Sequence, residues 1–155
     1  MAAFELLARR AWSARELHRR LERRGAPPDI ARSVVAELET RGYVDDGAFA
    51  RAWADTRARG RRVGSRRLRQ ELAARGIAGP LVEAAVAAAF GEVVEEERAL
   101  EAGRRRLPAL LRQGRADRAP GRLYQYLVRR GYPAGLIASV VRRLTGAENE
   151  GEPPA

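Results

Sequence analysis

The amino-acid sequence predicts an all-α protein of tandem three-helix repeats, with three units and about nine helices stacked into an elongated, curved body. A leucine–glycine pattern recurs three times, and each copy leads into a helix-breaking turn and another amphipathic stretch. In addition, no stretch alternates apolar and polar residues as a strand does. Because such repeats bury their apolar faces on their neighbours, the body lengthens with each unit.

The recurring pattern is Leu-x3-Leu-x3-Gly, found at residues 17–25, 68–76 and 123–131. Leucines four apart share one helix face, and a glycine four residues later is typical of the left-handed residue just past a helix end. Apolar residues then stand five, nine and ten positions after each glycine, which predicts a second helix after a short turn. These residues are Ile30, Val34, Val35, Leu81, Ala85, Val86, Leu136, Val140 and Val141.

Another helix is predicted before each Leu-x3-Leu helix. These helices span residues 4–10, 47–59 and 93–107. The resulting three-helix repeats span residues 2–42, 44–90 and 92–145. The third repeat contains a longer loop at residues 111–122, and residues 146–155, which are acidic and rich in glycine and proline, are expected to form a disordered tail.

Several helix starts can be recognised from their capping residues. Ser13 followed by Glu16 forms a capping-box pattern, and Ser65 is predicted to cap the second Leu-x3-Leu helix. Pro120 and Gly121 are expected to precede the third. Each of these starts lies just before one of the Leu-x3-Leu helices.

The adjacent carboxylates of Asp45 and Asp46 lie in RGYVDDGAFARAW and could form a metal site, a proton-transfer pair or a helix start. If Asp45 is the N-cap, Val44 and Phe49 occupy the two positions of a hydrophobic staple, and Asp46 meets the positive end of the helix dipole. Capping explains both aspartates without chemistry. A Mg²⁺ site would want further carboxylates or a phosphate, and none is near in sequence.

Composition excludes several classes of function. The chain has no cysteine and one histidine, His18, so disulfides, a thiol nucleophile, a zinc site and a histidine-based triad lack the residues they need. We therefore expect no cofactor, no metal and no enzymatic activity. No apolar run of 18 residues occurs, so we expect neither a signal peptide nor a membrane span. We therefore expect a cytoplasmic protein.

The net charge is +10, and every basic residue is arginine, which a GC-biased coding sequence would explain. Position is more informative, because two arginine blocks, residues 57–75 and 104–130, flank an acidic segment and hold the whole excess. Such blocks suit a polyanion or an acidic protein surface, and these alternatives stay open. The candidate contact residues are Arg57, Arg59, Arg61, Arg62, Arg66, Arg67, Arg69, Arg104, Arg105, Arg106, Arg129 and Arg130.

Two structural considerations limit this interpretation. Arginines just before a capping glycine, such as Arg24, Arg75 and Arg130, also complement the helix dipole, whereas residues 59–62 are predicted to lie in a loop. The helices after each glycine turn offer few side chains that read base edges, so we do not expect a sequence-specific helix-turn-helix reader.

Four segments of the chain are similar to the RecX family of regulatory proteins. They are LLARRAWSARELHRRLERRG, LETRGYVDDGAFARAWADTRARGRR, QELAARGI and YLVRRGYPAGLIASVV, and the resemblance covers about residues 4–144. RGYVDDGAFARAW is its most specific part, so Asp45 and Asp46 are carried over as signature residues. One departure is the linker at 111–120, which is longer and richer in glycine and proline than expected.

The resemblance implies a non-catalytic regulator that binds RecA and lies in the groove of the RecA–single-strand DNA filament. It would inhibit the recombinase, ATPase and coprotease activities of RecA and so modulate DNA repair, recombination and the SOS response. The implied partners are RecA and the single-stranded DNA within the filament, with no membrane, and we expect a monomer. The alternative is a sequence-independent protein that binds bare DNA and acts without RecA.

Overall fold

A computed structural model describes residues 2–61, 63–114 and 116–146. These residues form nine α-helices, one 3-10 turn and no strand, which confirms the all-α fold class. The helices are α1 Ala2–Arg9, α2 Ala14–Arg23, α3 Pro28–Thr40, α4 Asp46–Arg61, α5 Ser65–Ala74, α6 Gly79–Ala89, α7 Glu92–Arg112, α8 Ala119–Arg130 and α9 Ala134–Thr145, with the 3-10 turn at Ala116–Arg118.

The described chain packs as two compact units. Unit 1 contains residues 2–56 and 69–89, and unit 2 contains residues 57–68 and 90–146 as far as they are described. The unit limits fall within α4 and α5, so they do not follow the predicted limits of the three repeats, and the division into three repeats stays a prediction. From residue 147 on, the predicted disordered tail lies outside the described residues.

The leucine–glycine pattern forms the buried faces and ends of α2, α5 and α8. Five of its six leucines are wholly inaccessible to solvent, and Leu21 is 5% exposed. The glycines that end the pattern, Gly25, Gly76 and Gly131, have φ of 93°, 80° and 84°, the left-handed conformation that the sequence predicted.

The helices after the glycine turns bury the predicted ninth and tenth positions, apart from the half-buried Val34, and the first two of these helices differ at the fifth position. Ile30 and Leu81, five residues after their glycines, are 57% and 36% exposed, so their assignment to the buried face is wrong. The residues six positions after the glycines are buried instead, and the tenth residues are buried as predicted. The sixth and tenth residues are four apart and share a helix face, from which the fifth is turned by about 100°. The buried sixth residues are Ala31, Val82 and Ile137.

Three helix limits differ from the predictions. α4 continues to Arg61, so Arg59 and Arg61 lie in its last turn and the prediction of a loop there is wrong. α7 runs through Pro108 to Arg112 because Leu107 and Leu110 pack on the core of unit 2, which outweighs the hydrogen bond that proline removes. α8 begins at Ala119, so Pro120 and Gly121 lie in its first turn and the predicted loop is shorter.

The paired aspartates cap α4, as predicted. Asp45 Oδ1 accepts from Ala48 N at 2.8 Å, the Asp45 carbonyl accepts from Phe49 N at 2.9 Å, and Val44 and Phe49 are buried. Asp46 is the first helical residue and has a further partner in another helix, described below.

The predicted caps of α2 and α5 have different outcomes. Ser13 Oγ accepts from Glu16 N at 3.2 Å, which confirms the N-cap of α2. α5 begins at Ser65 itself, and the carbonyl of Gly64 accepts the first helical bond, from Leu68 N at 3.1 Å. The prediction of Ser65 as N-cap is therefore wrong by one residue.

Candidate functional site

The start of α2 meets the end of α5 within unit 1, a contact we call the first joint (Ser13, Ala14, Glu16, Asp46 and Arg75). Ser13 Oγ donates to the carbonyl of Arg75 at 2.7 Å, and Ala14 N donates to Asp46 Oδ1 at 2.8 Å. The guanidinium of Arg75 binds the carboxylate of Glu16. Asp46, the first residue of α4, therefore satisfies a backbone N–H at the start of another helix.

The start of α5 meets the end of α8 within unit 2, the second joint (Gly64, Ser65, Glu95, Arg130 and Gly131). Gly64 N donates to the carbonyl of Arg130 at 2.8 Å, and Ser65 N donates to Glu95 Oε1 at 2.7 Å. A Cβ at Gly64 would lie 2.5 Å from the carbonyl oxygen of Gly131, so only glycine allows this approach.

The two joints repeat the same geometry. Ala14 and Ser65 are the first residues of α2 and α5, and each donates its N–H to a carboxylate from the first turn of another helix, Asp46 or Glu95. Helix starts leave N–H groups unpaired, and a carboxylate there also meets the positive end of the dipole. Asp46 and Glu95 thus each connect the helix that carries them to the start of another helix.

Buried polar side chains surround the second joint. Tyr132 is 1% exposed, and burial raises its pKa to about 12; the nearby Glu95 also raises it, while Arg130 and Arg98 lower it. Glu95 is buried, and Nη1 of Arg98 is buried without a hydrogen-bond partner among the described residues. This cluster stabilises unit 2 only while its phenol stays neutral.

Stability at alkaline pH is expected to depend on Tyr132. The unfolded phenol loses its proton near pH 10.0 and the folded one near 12, so below pH 10.0 the contribution is complete and above it the free energy of unfolding falls. The total loss is about 2–3 kcal/mol. The chain has no lysine or cysteine to titrate in this window. Urea unfolding between pH 8 and 11.5 should show a shallower decline for Tyr132→Phe.

The exposed Tyr43, which is 57% accessible, supplies the control for this measurement. Tyr43→Phe should keep the alkaline decline of the unchanged protein. Equal slopes for Tyr132→Phe and Tyr43→Phe would contradict the assignment of the decline to Tyr132.

Several predicted contact arginines have partners within the fold. Arg69 forms a two-pronged pair with Glu83 at 2.9 and 3.2 Å, and Arg67 donates to the carbonyl of Arg129 at 3.2 Å. Arg105 pairs with Glu101 one turn earlier in α7, at 3.1 Å. Arg106 and Arg130 lie over the ring of Tyr126, with centroid distances of 5.6 and 4.9 Å. Sequence reasoning missed the partners that come from other helices, whereas Glu101 for Arg105 and Tyr126 for Arg130 stand only four residues away in the same helix.

Three other predicted arginines present their charge to solvent. The side chains of Arg66, Arg104 and Arg129 are exposed and have no hydrogen-bond or ion-pair partner in the part of the chain that the structure describes. Arg57 is half-buried and Arg59 exposed in the last turns of α4. The predictions for Arg62 and for the side chain of Arg61 lie outside the described residues.

Unit 2 contains an arginine-lined groove of about 530 Å³ between the end of α7, the 3-10 turn and α8; we call it the α8 groove. Two of its arginines, Arg106 and Arg129, were predicted contacts. Sequence reasoning missed Arg118 and Arg122, which it placed in a loop, although they belong to the same basic block. Among the described lining residues, four are arginines and one, Asp117, carries a carboxylate, so the groove has a net positive charge.

The described residues offer no metal-binding cluster. No three histidine, cysteine or carboxylate side chains among them come together as metal ligands. Nε2 of His18 lies 3.3 Å from the carbonyl of Pro28, and Nδ1 lies 3.5 Å from Glu22, so the ring belongs to the α2 surface. Within the described ranges, no helix combines the length and apolarity needed to cross a membrane.

The fold and this surface define a class: all-α helical-repeat proteins that present an arginine-lined groove. Two domain models of the RecX family match the chain. The model described as RecX, first three-helix domain, matches residues 1–38, and the model described as RecX, second three-helix domain, matches residues 45–86. The chain belongs to the RecX family.

Individual relatives agree with this assignment. Regulatory protein RecX of Streptomyces coelicolor is 37% identical over 89% of this chain and 71% of its own length. That of Thermus thermophilus is 38% identical over 96% of this chain and 93% of its own. The crystal structure of RecX from Lactobacillus salivarius matches the fold with a TM-score of 0.81, at 16% identity over 92% of both chains.

Proposed function

We propose that this chain binds RecA and the RecA–single-strand DNA filament and inhibits the recombinase, ATPase and coprotease activities of RecA. It would lie in the filament groove as a monomer, act in the cytoplasm, and so modulate DNA repair, recombination and the SOS response. The single observation that carries the proposal is membership of a family whose relatives are named regulatory proteins.

The described surface supports a binding role in particular. Exposed arginines without partners and the α8 groove offer positive charge on helices whose geometry is set by packing. We assign the contacts to the arginines from Arg57 to Arg130 that the sequence singled out, with Arg66, Arg104 and Arg129 as those most available to a partner. Their partners would be DNA phosphates or acidic side chains of RecA.

Inhibition of the single-strand-dependent ATPase of RecA is the decisive measurement. The unchanged protein should inhibit at or below one molecule per RecA. The double variant Arg104→Gln, Arg129→Gln removes two exposed charges from unit 2 and should raise the concentration for half-inhibition at least about tenfold, since a tenfold change needs only about 1.4 kcal/mol.

A matched control removes the same charge elsewhere. Arg32 and Arg41 are exposed on or beside α3 and pair only with Asp29 and Glu37, at 3.2 and 2.6 Å. Arg32→Gln, Arg41→Gln should inhibit within about twofold of the unchanged protein, because exposed pairs contribute little. No inhibition by the unchanged protein contradicts the function; equal potency of the two double variants contradicts the site.

The α8 groove also favours a second candidate function, sequence-independent binding of bare DNA without RecA. Its signature is tight binding to DNA alone, with the logarithm of the binding constant falling by about 0.9 per phosphate contact on duplex as the logarithm of salt rises. In that case RecA would be left uninhibited under conditions where the DNA is not already covered.

A further inference from the structure

A second arginine-lined groove, of about 500 Å³, lies in unit 1 between the end of α1 and the length of α2; we call it the α2 groove. None of its residues belongs to the contacts predicted from sequence. The first 56 residues carry 10 arginines and 9 acids, so the net charge of this segment does not indicate a basic groove. Its arginines are Arg9, Arg10, Arg19, Arg20, Arg23 and Arg24.

Charge in the α2 groove is poorly compensated. Among the described residues, one carboxylate lines it, that of Glu16, which already binds Arg75 and lies 3.3 Å from Arg10. Arg24 lies 3.5 Å from Glu5 outside the groove. The other four arginines have no ion-pair or hydrogen-bond partner for their side chains within residues 2–61, 63–114 and 116–146. They are Arg9, Arg19, Arg20 and Arg23.

The spacing of these arginines suits a ligand with regularly repeated charge. Arg19 and Arg23 are one helical turn apart, as are Arg20 and Arg24, and like charges at this spacing repel each other when no anion lies between them. Arginines on the α1 side face those on α2 across the groove, so a narrow anionic strand would be contacted from both walls.

The same position in the fold is basic in unit 2. The buried leucines align Leu17 of α2 with Leu123 of α8, and this alignment places Arg23 on Arg129. Arg23 lines the α2 groove and Arg129 lines the α8 groove. One equivalent position of a Leu-x3-Leu helix, six residues after its first leucine, therefore places an arginine in a groove of each unit.

We propose that the α2 groove binds the phosphodiester backbone of single-stranded nucleic acid, independently of base sequence. This proposal rests on the proposed function in one respect, the choice of a single strand over a duplex as the ligand. Forked guanidinium groups on two walls neutralise successive phosphates, and no base-reading amide side chain lines the groove within the described residues.

Trp12 provides a reporter at the groove itself. Its Nε1 donates to the carbonyl of Leu6 at 3.0 Å, and the guanidinium of Arg10 lies 3.4 Å from the ring centroid. An anion that draws Arg10 away changes the surroundings of the indole. Because the chain has only two tryptophans, Trp53→Phe leaves Trp12 as the sole tryptophan, whose emission can be excited selectively at wavelengths that tyrosine does not absorb.

The test titrates a labelled oligothymidylate, without RecA, into the unchanged protein and into Arg19→Gln, Arg23→Gln. The variant should bind at least about tenfold more weakly, with a salt slope shallower by about 1.4, two phosphates at about 0.7 each. The control Arg32→Gln, Arg41→Gln loses the same charge and should bind as the unchanged protein does. In the Trp53→Phe protein, Trp12 emission should change on binding.

Each alternative outcome is informative. Loss of strand binding in Arg104→Gln, Arg129→Gln but not in Arg19→Gln, Arg23→Gln would overturn the proposal. The proposal would also be overturned if Arg19→Gln, Arg23→Gln lost binding to polyglutamate but not to the oligothymidylate, because the groove would then serve an acidic protein. A variant that weakened binding to duplex DNA alone would overturn it as well. Strand binding as expected without inhibition of the RecA ATPase would refute the proposed function and support the groove.

Discussion

Gly131→Ala is expected to destabilise unit 2 by about 3–5 kcal/mol. Gly131 has φ of 84°, where an alanine is strained, and its Cβ would lie 2.6 Å from the backbone nitrogen of Arg67 in the second joint. Because the obstructing atoms belong to the backbone of α5, the joint can accommodate the methyl group only by separating. Urea unfolding followed by circular dichroism measures the loss.

Gly25→Ala is the matched control. Gly25 occupies the same position of the same repeat pattern, with φ of 93°, but nothing lies within 4 Å of an added Cβ. Its cost should be only the left-handed strain, about 1–2 kcal/mol. If the two variants lose the same stability, the close approach of Gly131 to Arg67 does not contribute to the cost of Gly131→Ala, and the geometry described for the second joint is wrong.

Glu95→Ala is expected to cost about 3 kcal/mol, the second large effect on stability. Glu95 is 9% exposed and accepts the N–H of Ser65 at 2.7 Å. Its removal leaves that buried N–H without an acceptor and takes away a negative charge one turn from Arg98, whose Nη1 is buried.

Two further variants separate the causes. Glu97 is exposed in the same turn of α7, so Glu97→Ala should change stability by less than about 0.5 kcal/mol. Glu95→Gln keeps an acceptor for Ser65 and removes the charge, so it should fall between the two. A Glu95→Ala protein as stable as Glu97→Ala would mean that the second joint does not need this carboxylate.

The arginines show where reading along the chain was sufficient and where it was not. Charge counted in sequence blocks pointed to residues 57–75 and 104–130, and the α8 groove lies in the second block. The same count gave near-neutrality for the segment that holds the α2 groove, because an average along the chain cannot show that α1 and α2 turn their arginines to one side. Partners such as Glu83 for Arg69 come from other helices and were equally invisible.

The predictions of the helix limits were wrong for a related reason. Pro108 and Gly60 weaken a helix locally, so the sequence predicted earlier ends for α7 and α4. Packing of Leu107 and Leu110 on the core of unit 2 continues α7 past its proline. The error of one residue at Ser65 has the same origin, since the place where α5 starts depends on the approach of Gly64 to Gly131.

The sequence by itself determined the features that depend on neighbours in the chain: the all-α class, the buried leucine faces, the left-handed glycines, the cap at Asp45 and the family. Helical periodicity and capping are local, so spacing is enough to predict them. Only the tertiary structure decided the second partner of Asp46, the burial of Glu95 and Tyr132, and which arginines face a groove. Each of these depends on groups that are distant in sequence and become neighbours only when the helices pack.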